Sequence, residues 1–163
     1  MYNSNENSNG ENIMERTFAA LKPDAIKRGM IGKIIERIEQ KGYKIVGMKF
    51  MNVSVELASK HYEEHFGKPF YNRLINYITS GPVLAMVLEG DNVVLGLRHI
   101  VGKTNPDEAD VGTIRADFCV VKEYNAIHAS DSIESANREI SLWFKESEIC
   151  DNYKTSLELL MGI

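Results

Sequence analysis

The sequence predicts a domain in which helices pack on a β-sheet, of the α+β or α/β class. The first observation is that segments with strand character alternate with segments of helical periodicity along the chain. The second is that two helical stretches lie between the second and third strands. The third is composition: 163 residues, 44% hydrophobic and 26% charged, are ordinary for one soluble domain with a substantial core. We find no internal repeat and no linker that would divide the chain.

Four segments have the composition of strands, and turn residues or helices separate them. The third is a continuous apolar run, which is typical of a strand buried on both faces. The last leads to Asn125 and His128, so these two residues are expected to follow a strand. The predicted strands are, in chain order, 17–21, 43–53, 83–88 and 118–121.

Apolar residues at helical spacing predict four helices between these strands. The first helix ends at Gly42, a residue type favoured just past a helix C-terminus. The third is stopped by Gly81 and Pro82, and residues 102–114 form a polar loop. The positions that define the helices are Ile31, Ile34, Ile35 and Ile38, then Leu57, Ala58, His61 and Tyr62, then Phe70, Leu74, Ile75 and Ile78, then Val93, Val94, Leu97, Ile100 and Val101.

Net charge, cysteine content and the distribution of apolar residues indicate which partners and which location to expect. The 19 basic and 23 acidic residues give a net charge of −4, so neither nucleic acid nor an anionic membrane is expected as the main partner. Cys119 and Cys150 show no disulfide framework, which favours reduced thiols in a cytoplasmic protein. No run is apolar enough to span a bilayer. The polar, asparagine-rich residues 1–13 predict a disordered tail before a single domain over 14–163.

The stretch 125–144 carries the strongest functional pattern. Ser130 and Asp131 are helix-start residues, and Glu134 stands three positions after Asp131, which is the spacing of a capping box. A helix with one apolar face is predicted to follow. His128 lies just before this start, where free N–H groups and the helix dipole favour anions.

Glu139 interrupts the apolar face of that helix, between Ala136 and Trp143. A carboxylate on a half-buried face needs a partner, and the imidazole of His128 is a suitable one. A histidine oriented by a carboxylate can act as a nucleophile toward phosphate. Taken singly, a solvated histidine and a surface glutamate are the simpler interpretations; the constellation around them favours the functional one.

Asn125, His128, Ser130, Asp131 and Glu139 occur in an order that resembles the active-site segment of the nucleoside diphosphate kinase family, Asn-x-x-His-Gly-Ser-Asp-Ser, with alanine here in place of the glycine. The resemblance implies a ferredoxin-like, four-stranded antiparallel sheet covered by helices, hence an α+β fold. It also implies ping-pong transfer of the γ-phosphate of a nucleoside triphosphate to a nucleoside diphosphate through phosphohistidine at His128. Glu139 would hold the far ring nitrogen, and Ser130 would help to place Glu139.

Other segments resemble the family one position at a time, and the resemblance implies that they bind the nucleotide phosphates. Lys22, in Leu21-Lys22-Pro23-Asp24, would hold the transferred phosphate, with the Tyr62 hydroxyl close to it. Arg98 and Arg115 would act as charge clamps. Without the resemblance, these side chains would be interpreted as surface or core residues. The residues implied to contact phosphate or the reacting centre are Lys22, Tyr62, Arg98, Thr104, Arg115 and Asn125.

The resemblance also implies how the base is bound. Phe70 would stack on it and Leu74 would pack beside it; alone, both would be anchors for their helix. Opposite Phe70 the family commonly has a small apolar residue, and here Lys122 could pack its aliphatic stem. Mg²⁺ is expected on the nucleotide phosphates, with no protein residue assigned to metal. A homo-oligomer, hexamer or tetramer, is implied, and the apolar ending 157–163 could pack on a neighbour.

Two other motifs in the sequence suggest different functions. Gly102-Lys103-Thr104 lacks the glycine that a phosphate-binding Walker A loop needs five residues before its Gly-Lys pair, so we reject it. His61-Tyr62-Glu63-Glu64-His65 fits the H-x-x-E-H pattern of inverted zinc proteases, which makes a zinc peptidase the rival class. A structural or protein-binding module is a third interpretation, in which His128 would be incidental.

Overall fold

The computed structural model describes residues 14–163, and the predicted tail at 1–13 lies outside the described residues. The strands are β1 (Glu15–Leu21), β2 (Lys44–Asn52), β3 (Pro82–Gly90) and β4 (Ile127–Ala129). The α-helices are α1 (Pro23–Lys27), α2 (Ile31–Gln40), α3 (Val55–His61), α4 (Tyr71–Ile78), α5 (Val93–Val101), α6 (Ile114–Phe118), α7 (Ile133–Trp143) and α8 (Ser156–Met161). Short 3₁₀ helices span Glu63–His65, Pro106–Glu108, Lys122–Tyr124 and Glu146–Glu148.

The strands form one antiparallel sheet in the order β2-β3-β1-β4. This arrangement confirms the predicted ferredoxin-like α+β fold and excludes the α/β alternative. The central strand β3 is buried along almost its whole length, as its continuous apolar sequence predicted. Among the described strands, β2 and β4 are the edges, and β2 carries a register shift between Ile45 and Gly47.

Helices cover both faces of the sheet, because side chains of a strand alternate between its faces. Ala19 and Leu21 of β1 join the core that includes α2 and α5. Phe18 and Ala20 join a second core that includes α3, α4 and α7. The second core is the one beside the predicted nucleophile.

The predicted last strand at 118–121 is wrong. Phe118 ends α6, and the residues after it are not in a strand; Val120 is 80% exposed. The strand that pairs with β1 is β4, in which Ala20 lies opposite His128. A three-residue strand is too short to show a period of two in the sequence, whereas residues 118–121 form a continuous apolar run that resembles a strand.

The predicted start of α7 is also wrong. Ser132, rather than Ser130 or Asp131, caps the helix, and its Oγ accepts a hydrogen bond from the Ser135 amide at 3.1 Å. Three adjacent residues are all good caps, so their type alone does not select one. His128 lies on β4, four residues before this cap, so it is not directly at a helix N-terminus.

The C-terminal segment folds back onto the end of the sheet. Buried Lys44 on β2 donates to Glu89 at 3.3 Å, to the Asp151 carbonyl at 3.1 Å and to Glu158 at 3.4 Å. Thr155 caps α8 by accepting from the Glu158 amide at 3.2 Å. No helix within residues 14–163 is long and apolar enough to cross a membrane.

Candidate active site

His128 faces the core that includes α3 and α7. Its neighbours Ile127 and Ala129 belong to the opposite core, so strand alternation directs the imidazole away from them. The ring centroid lies 4.6 Å from that of His61 and 5.8 Å from that of Phe18. The His128 side chain is 22% exposed, so part of the ring can be reached from solvent.

Glu139 holds one ring nitrogen of this histidine. Its Oε2 lies 3.0 Å from Nε2 of His128 and accepts a second hydrogen bond from Oγ of buried Ser130 at 2.5 Å. Burial alone would raise the pKa of Glu139, but the hydrogen bond and charge of His128 and the Ser130 hydroxyl lower that pKa below its usual value. An ionised Glu139 accepts the Nε2 proton, which leaves Nδ1 as the nitrogen with a free lone pair. Among residues 14–163, no hydrogen bond to Nδ1 of His128 occurs.

A lysine side chain contacts Asn125, which lies three residues before His128. Lys22 begins α1, and its Nζ donates to Oδ1 of Asn125 at 2.6 Å. The Asn125 amide nitrogen donates in turn to the Thr104 carbonyl at 3.1 Å. Burial and the charge of Arg115 lower the pKa of Lys22 to about 8. Asn125 thus joins the end of β1 to the loop that follows α5.

Arg115 is buried and donates to three backbone carbonyls. Its partners are Asn125 at 3.2 Å, Gly102 at 3.1 Å and Ile127 at 2.7 Å. Burial lowers the pKa of Arg115 to about 10. A guanidinium carries five N–H groups, so about two remain for a phosphate after these contacts. The structure therefore gives Arg115 a role in holding the backbone that the sequence did not suggest.

The other residues predicted to contact phosphate do not share the hydrogen bonds that connect Lys22, Asn125 and Arg115. Arg98 is exposed on α5, and Thr104 is exposed in the loop before α6. Tyr62 is buried, with its ring 4.6 Å from that of His61 between centroids. Burial, with the charge of Glu139, raises the pKa of Tyr62 to about 12, so its hydroxyl remains a donor at neutral pH.

The residues predicted to bind the base lie on and near α4. Phe70 precedes the helix and is 38% exposed, with its ring centroid 5.5 Å from that of His65. Leu74 packs against the second core. Lys122 is exposed on a 3₁₀ helix, in agreement with a wet amine. The exposed Phe70 ring is available for stacking, whereas Leu74 contributes mainly to the core.

His61 is a neighbour of His128 whose importance sequence reasoning missed. The Trp143 indole donates to Nδ1 of His61 at 3.1 Å. An indole N–H can only donate, so a neutral His61 carries its own proton on Nε2. Burial and the charge of His128 lower the pKa of His61 to about 3. His61 is therefore a neutral packing partner, and the only sequence signal for it was its place in the H-x-x-E-H motif.

That motif does not form a zinc site among the described residues. His65 lies on the 3₁₀ helix after α3, where its Nδ1 is 3.0 Å from Lys68. Within residues 14–163, the group able to hold a metal joins His61, His128 and Glu139 instead, with ligand atoms within 4.8 Å. Two of these residues already share a hydrogen bond, and His61 is bonded to an indole.

A carboxylate-held imidazole beside a lysine, an arginine and an asparagine on a ferredoxin-like sheet has the composition of a nucleotide phosphotransferase site. The sequence model of the family described as "Nucleoside diphosphate kinase" matches residues 15–149. A nucleoside diphosphate kinase of Staphylococcus epidermidis is 60% identical over 145 residues, covering 89% of this chain and 97% of the relative. One of Methanocaldococcus jannaschii is 61% identical over 139 residues, covering 85% and 99%.

The solved structures agree. A halophilic nucleoside diphosphate kinase from Halobacterium salinarum, in complex with CDP, superposes with a TM-score of 0.86 at 44% identity, covering 90% of this chain and 97% of that one. The chain belongs to the nucleoside diphosphate kinase family. It is a nucleoside diphosphate kinase in activity, and the ping-pong mechanism is general for the family.

Proposed function

We propose that His128 carries the phosphate between the two nucleotides. Nδ1 attacks the γ-phosphorus, the bond to the β-bridging oxygen breaks, and the nucleoside diphosphate leaves. A second nucleoside diphosphate then takes the group back through a β-phosphate oxygen. The observation that supports this assignment is the 3.0 Å contact between Nε2 of His128 and Glu139, which leaves Nδ1 for the attack. Incubation with γ-labelled ATP tests it, because label must stay on the chain after ADP leaves.

The charge of the transferring group would be met by side chains. Lys22 is one candidate, because its ammonium lies 2.6 Å from Oδ1 of Asn125, three residues before His128. Arg98 and the free N–H groups of Arg115 would supply further positive charge, with Thr104 as a hydroxyl donor. The Tyr62 hydroxyl and the Asn125 amide complete the assignment, and Ser130 acts through Glu139.

Glu139→Gln is expected to slow phosphoenzyme formation by about ten- to a hundredfold, because a hydrogen bond to a charged group contributes about 1–3 kcal/mol. The neutral amide of the variant holds the Nε2–H group of His128 less strongly than an ionised carboxylate does. The loss is limited because the side chain at position 139 forms no bond to phosphate in the variant or in the wild type. Single-turnover labelling measures the effect. Glu134→Gln is the matched control, since Glu134 is exposed on the same helix. Equal rates for the two variants would remove Glu139 from the mechanism.

Mg²⁺ would be bound mainly by the nucleotide phosphates. It prefers oxygen ligands, and the metal-capable group within residues 14–163 consists of two imidazoles and one carboxylate that is already bonded. The site thus fits a cation that arrives with its nucleotide and keeps several waters. When bound, Mg²⁺ neutralises phosphate charge and orients the chain of phosphates.

The base would be bound through its face. Phe70 offers an exposed ring, and exposed Lys122 stands next to Glu123, which pairs with Arg73 of α4 at 3.9 Å. Neither group reads the hydrogen-bonding edge of a base. The relative from Halobacterium salinarum was solved with CDP, which supports acceptance of a pyrimidine nucleotide here.

We expect GDP, CDP, UDP and dTDP to be phosphorylated with kcat/KM values within about two orders of magnitude of each other, because every base has a π-face to stack. A common donor such as ATP and a range of acceptor concentrations provide the measurement. Selection of one base by more than about four orders of magnitude requires a base-reading contact, and would contradict this account.

We propose that the chain forms a homo-oligomer, a hexamer or a tetramer, because two exposed apolar surfaces are available as interfaces. Edge strand β2 exposes Met48 and Phe50, and an edge strand has unpaired backbone groups that a second copy can bind. Helix α8 exposes Leu159 and Leu160. The location is proposed to be the cytoplasm, in agreement with the free thiols of the chain.

Phe50→Asp and Leu160→Asp distinguish these two surfaces. Burying an unpaired carboxylate in an interface costs several kcal/mol, so the variant on the true interface is expected to shift the measured mass to a smaller assembly. Light scattering after size-exclusion chromatography gives the mass. A wild-type chain that elutes as a monomer at micromolar concentration would contradict the oligomer itself.

A further inference from the structure

The three residues before His128 form a strained turn. The Ile127 amide donates to the Asn125 carbonyl at 2.8 Å, and Ala126 between them has φ of +66°. A hydrogen bond across one residue with positive φ defines a γ-turn of the rare, strained kind. Glycine adopts positive φ readily because it has no Cβ, whereas the Cβ of alanine makes this conformation unfavourable. Such a backbone persists only when its surroundings hold it.

Backbone and side-chain groups from two directions hold this turn. The Ala126 carbonyl accepts from the Lys22 amide at 2.8 Å, and its amide donates to Oδ2 of Asp24 at 3.1 Å. Arg115 donates to the carbonyls on either side, as described above. The amide of the strained residue is therefore satisfied by a side chain that is 102 residues distant in sequence.

Asp24 is itself fixed by a second contact. It is 9% exposed, and its Oδ1 accepts a hydrogen bond from the Tyr77 hydroxyl on α4. Burial, followed by the hydrogen bond to Asp24, raises the pKa of Tyr77, so its hydroxyl keeps its proton at neutral pH. Tyr77, Asp24 and the Ala126 amide form a chain of hydrogen bonds that leads from α4 to the turn. Within residues 14–163, neither side chain is hydrogen-bonded to His128.

We infer that Asp24 and Tyr77 are positioning residues for phosphoryl transfer, which act by holding the strained turn at Ala126. The turn separates Asn125, which binds the Lys22 ammonium, from His128, which is two residues after Ala126. Relaxation of its φ would move these two groups relative to each other. This inference rests on the proposed role of His128.

Asp24→Ala is expected to lower the single-turnover rate of phosphoenzyme formation by about ten- to a hundredfold, since strained backbone left without its support relaxes away from the reactive geometry. ADP affinity, measured by titration calorimetry, is expected to change by no more than about threefold. Tyr77→Phe is expected to give a smaller loss in the same rate. It also keeps the test valid if Asp24→Ala fails to fold.

Glycine at position 126 provides the decisive comparison. Positive φ costs glycine nothing, so the double variant Asp24→Ala with Ala126→Gly is expected to recover about tenfold of the lost rate. Asp24→Asn keeps an acceptor for the Ala126 amide and is expected to lie near wild type. A double variant no faster than Asp24→Ala would contradict the inference.

Tyr124→Phe is the matched control for Tyr77→Phe. The two rings lie 5.5 Å apart between centroids, and the Asp24 carboxylate is bonded to Tyr77. Tyr124→Phe is expected to be labelled at the wild-type rate. Folded Asp24→Ala and Tyr77→Phe proteins that are also labelled at that rate would overturn the inference. A wild-type chain that takes no label would overturn the role of His128 and this inference with it.

Discussion

His128→Ala is expected to lower kcat for phosphotransfer by at least about four orders of magnitude. The reason is that His128 combines a free Nδ1 with a buried carboxylate, Glu139, 3.0 Å from its other ring nitrogen, whereas the carboxylate paired with His65 is exposed and 3.7 Å away. His61 lies close by, but it is buried and bonded to Trp143, and its pKa is lowered to about 3. It cannot replace the nucleophile without losing that contact.

A coupled assay that follows ADP release from ATP gives the rate. His99→Ala is a suitable control, because His99 is exposed on α5 and has no part in the proposed site. A His128→Ala protein within tenfold of wild type would show that the phosphate is carried elsewhere or passes directly between the nucleotides. Circular dichroism of both variants should match wild type.

Lys22→Gln is expected to lower kcat/KM by about two to three orders of magnitude, the usual loss when one preorganised donor to a developing charge is removed. The side chain touches Asn125 at 2.6 Å and so stands beside the turn that leads to His128. Lys27→Gln, on the exposed side of α1, is the matched control. Similar kinetics for the two variants would exclude Lys22 from phosphate binding.

The pKa of Lys22 predicts how kcat/KM depends on pH. Its pKa is lowered to about 8, first by burial and then by the charge of Arg115. The ammonium is therefore present below pH 8 in the free enzyme and is lost as the pH rises through that value. Because kcat/KM reports groups of the free enzyme, we expect it to fall above about pH 8. The profile of Lys22→Gln should lack this fall.

The sequence predicted most of the fold because the main elements are long. Helix α7 carries apolar residues at helical spacing, and strand β3 is a continuous apolar run. Strand β4 has three residues and could not show a period, so the sequence pattern favours a strand at exposed Val120 and Val121 instead. The N-cap of α7 was predicted incorrectly because Ser130, Asp131 and Ser132 have nearly equal preference for the first position of a helix.

The candidate site was less accessible, because its contacts join distant parts of the chain. The pairing of His128 with Glu139 could be anticipated, since a carboxylate on an apolar helix face requires a partner. The contact of Asp24 with Ala126 could not, since 102 residues separate them and an aspartate after a proline suggests a helix start. The three backbone partners of Arg115 were equally hidden, because backbone carbonyls have no sequence signature.

The proposed mechanism depends on phosphorylation of His128, and isolation of the phosphoenzyme shows whether it occurs. The chain is incubated with γ-labelled ATP, freed of nucleotide by gel filtration, and divided between acid and alkali. A phosphoramidate on His128 predicts label that survives alkali, is lost in acid, and passes to CDP with formation of labelled CTP. Label that survives acid, label that remains in His128→Ala, or rapid nucleotide conversion without any labelled chain would contradict the account.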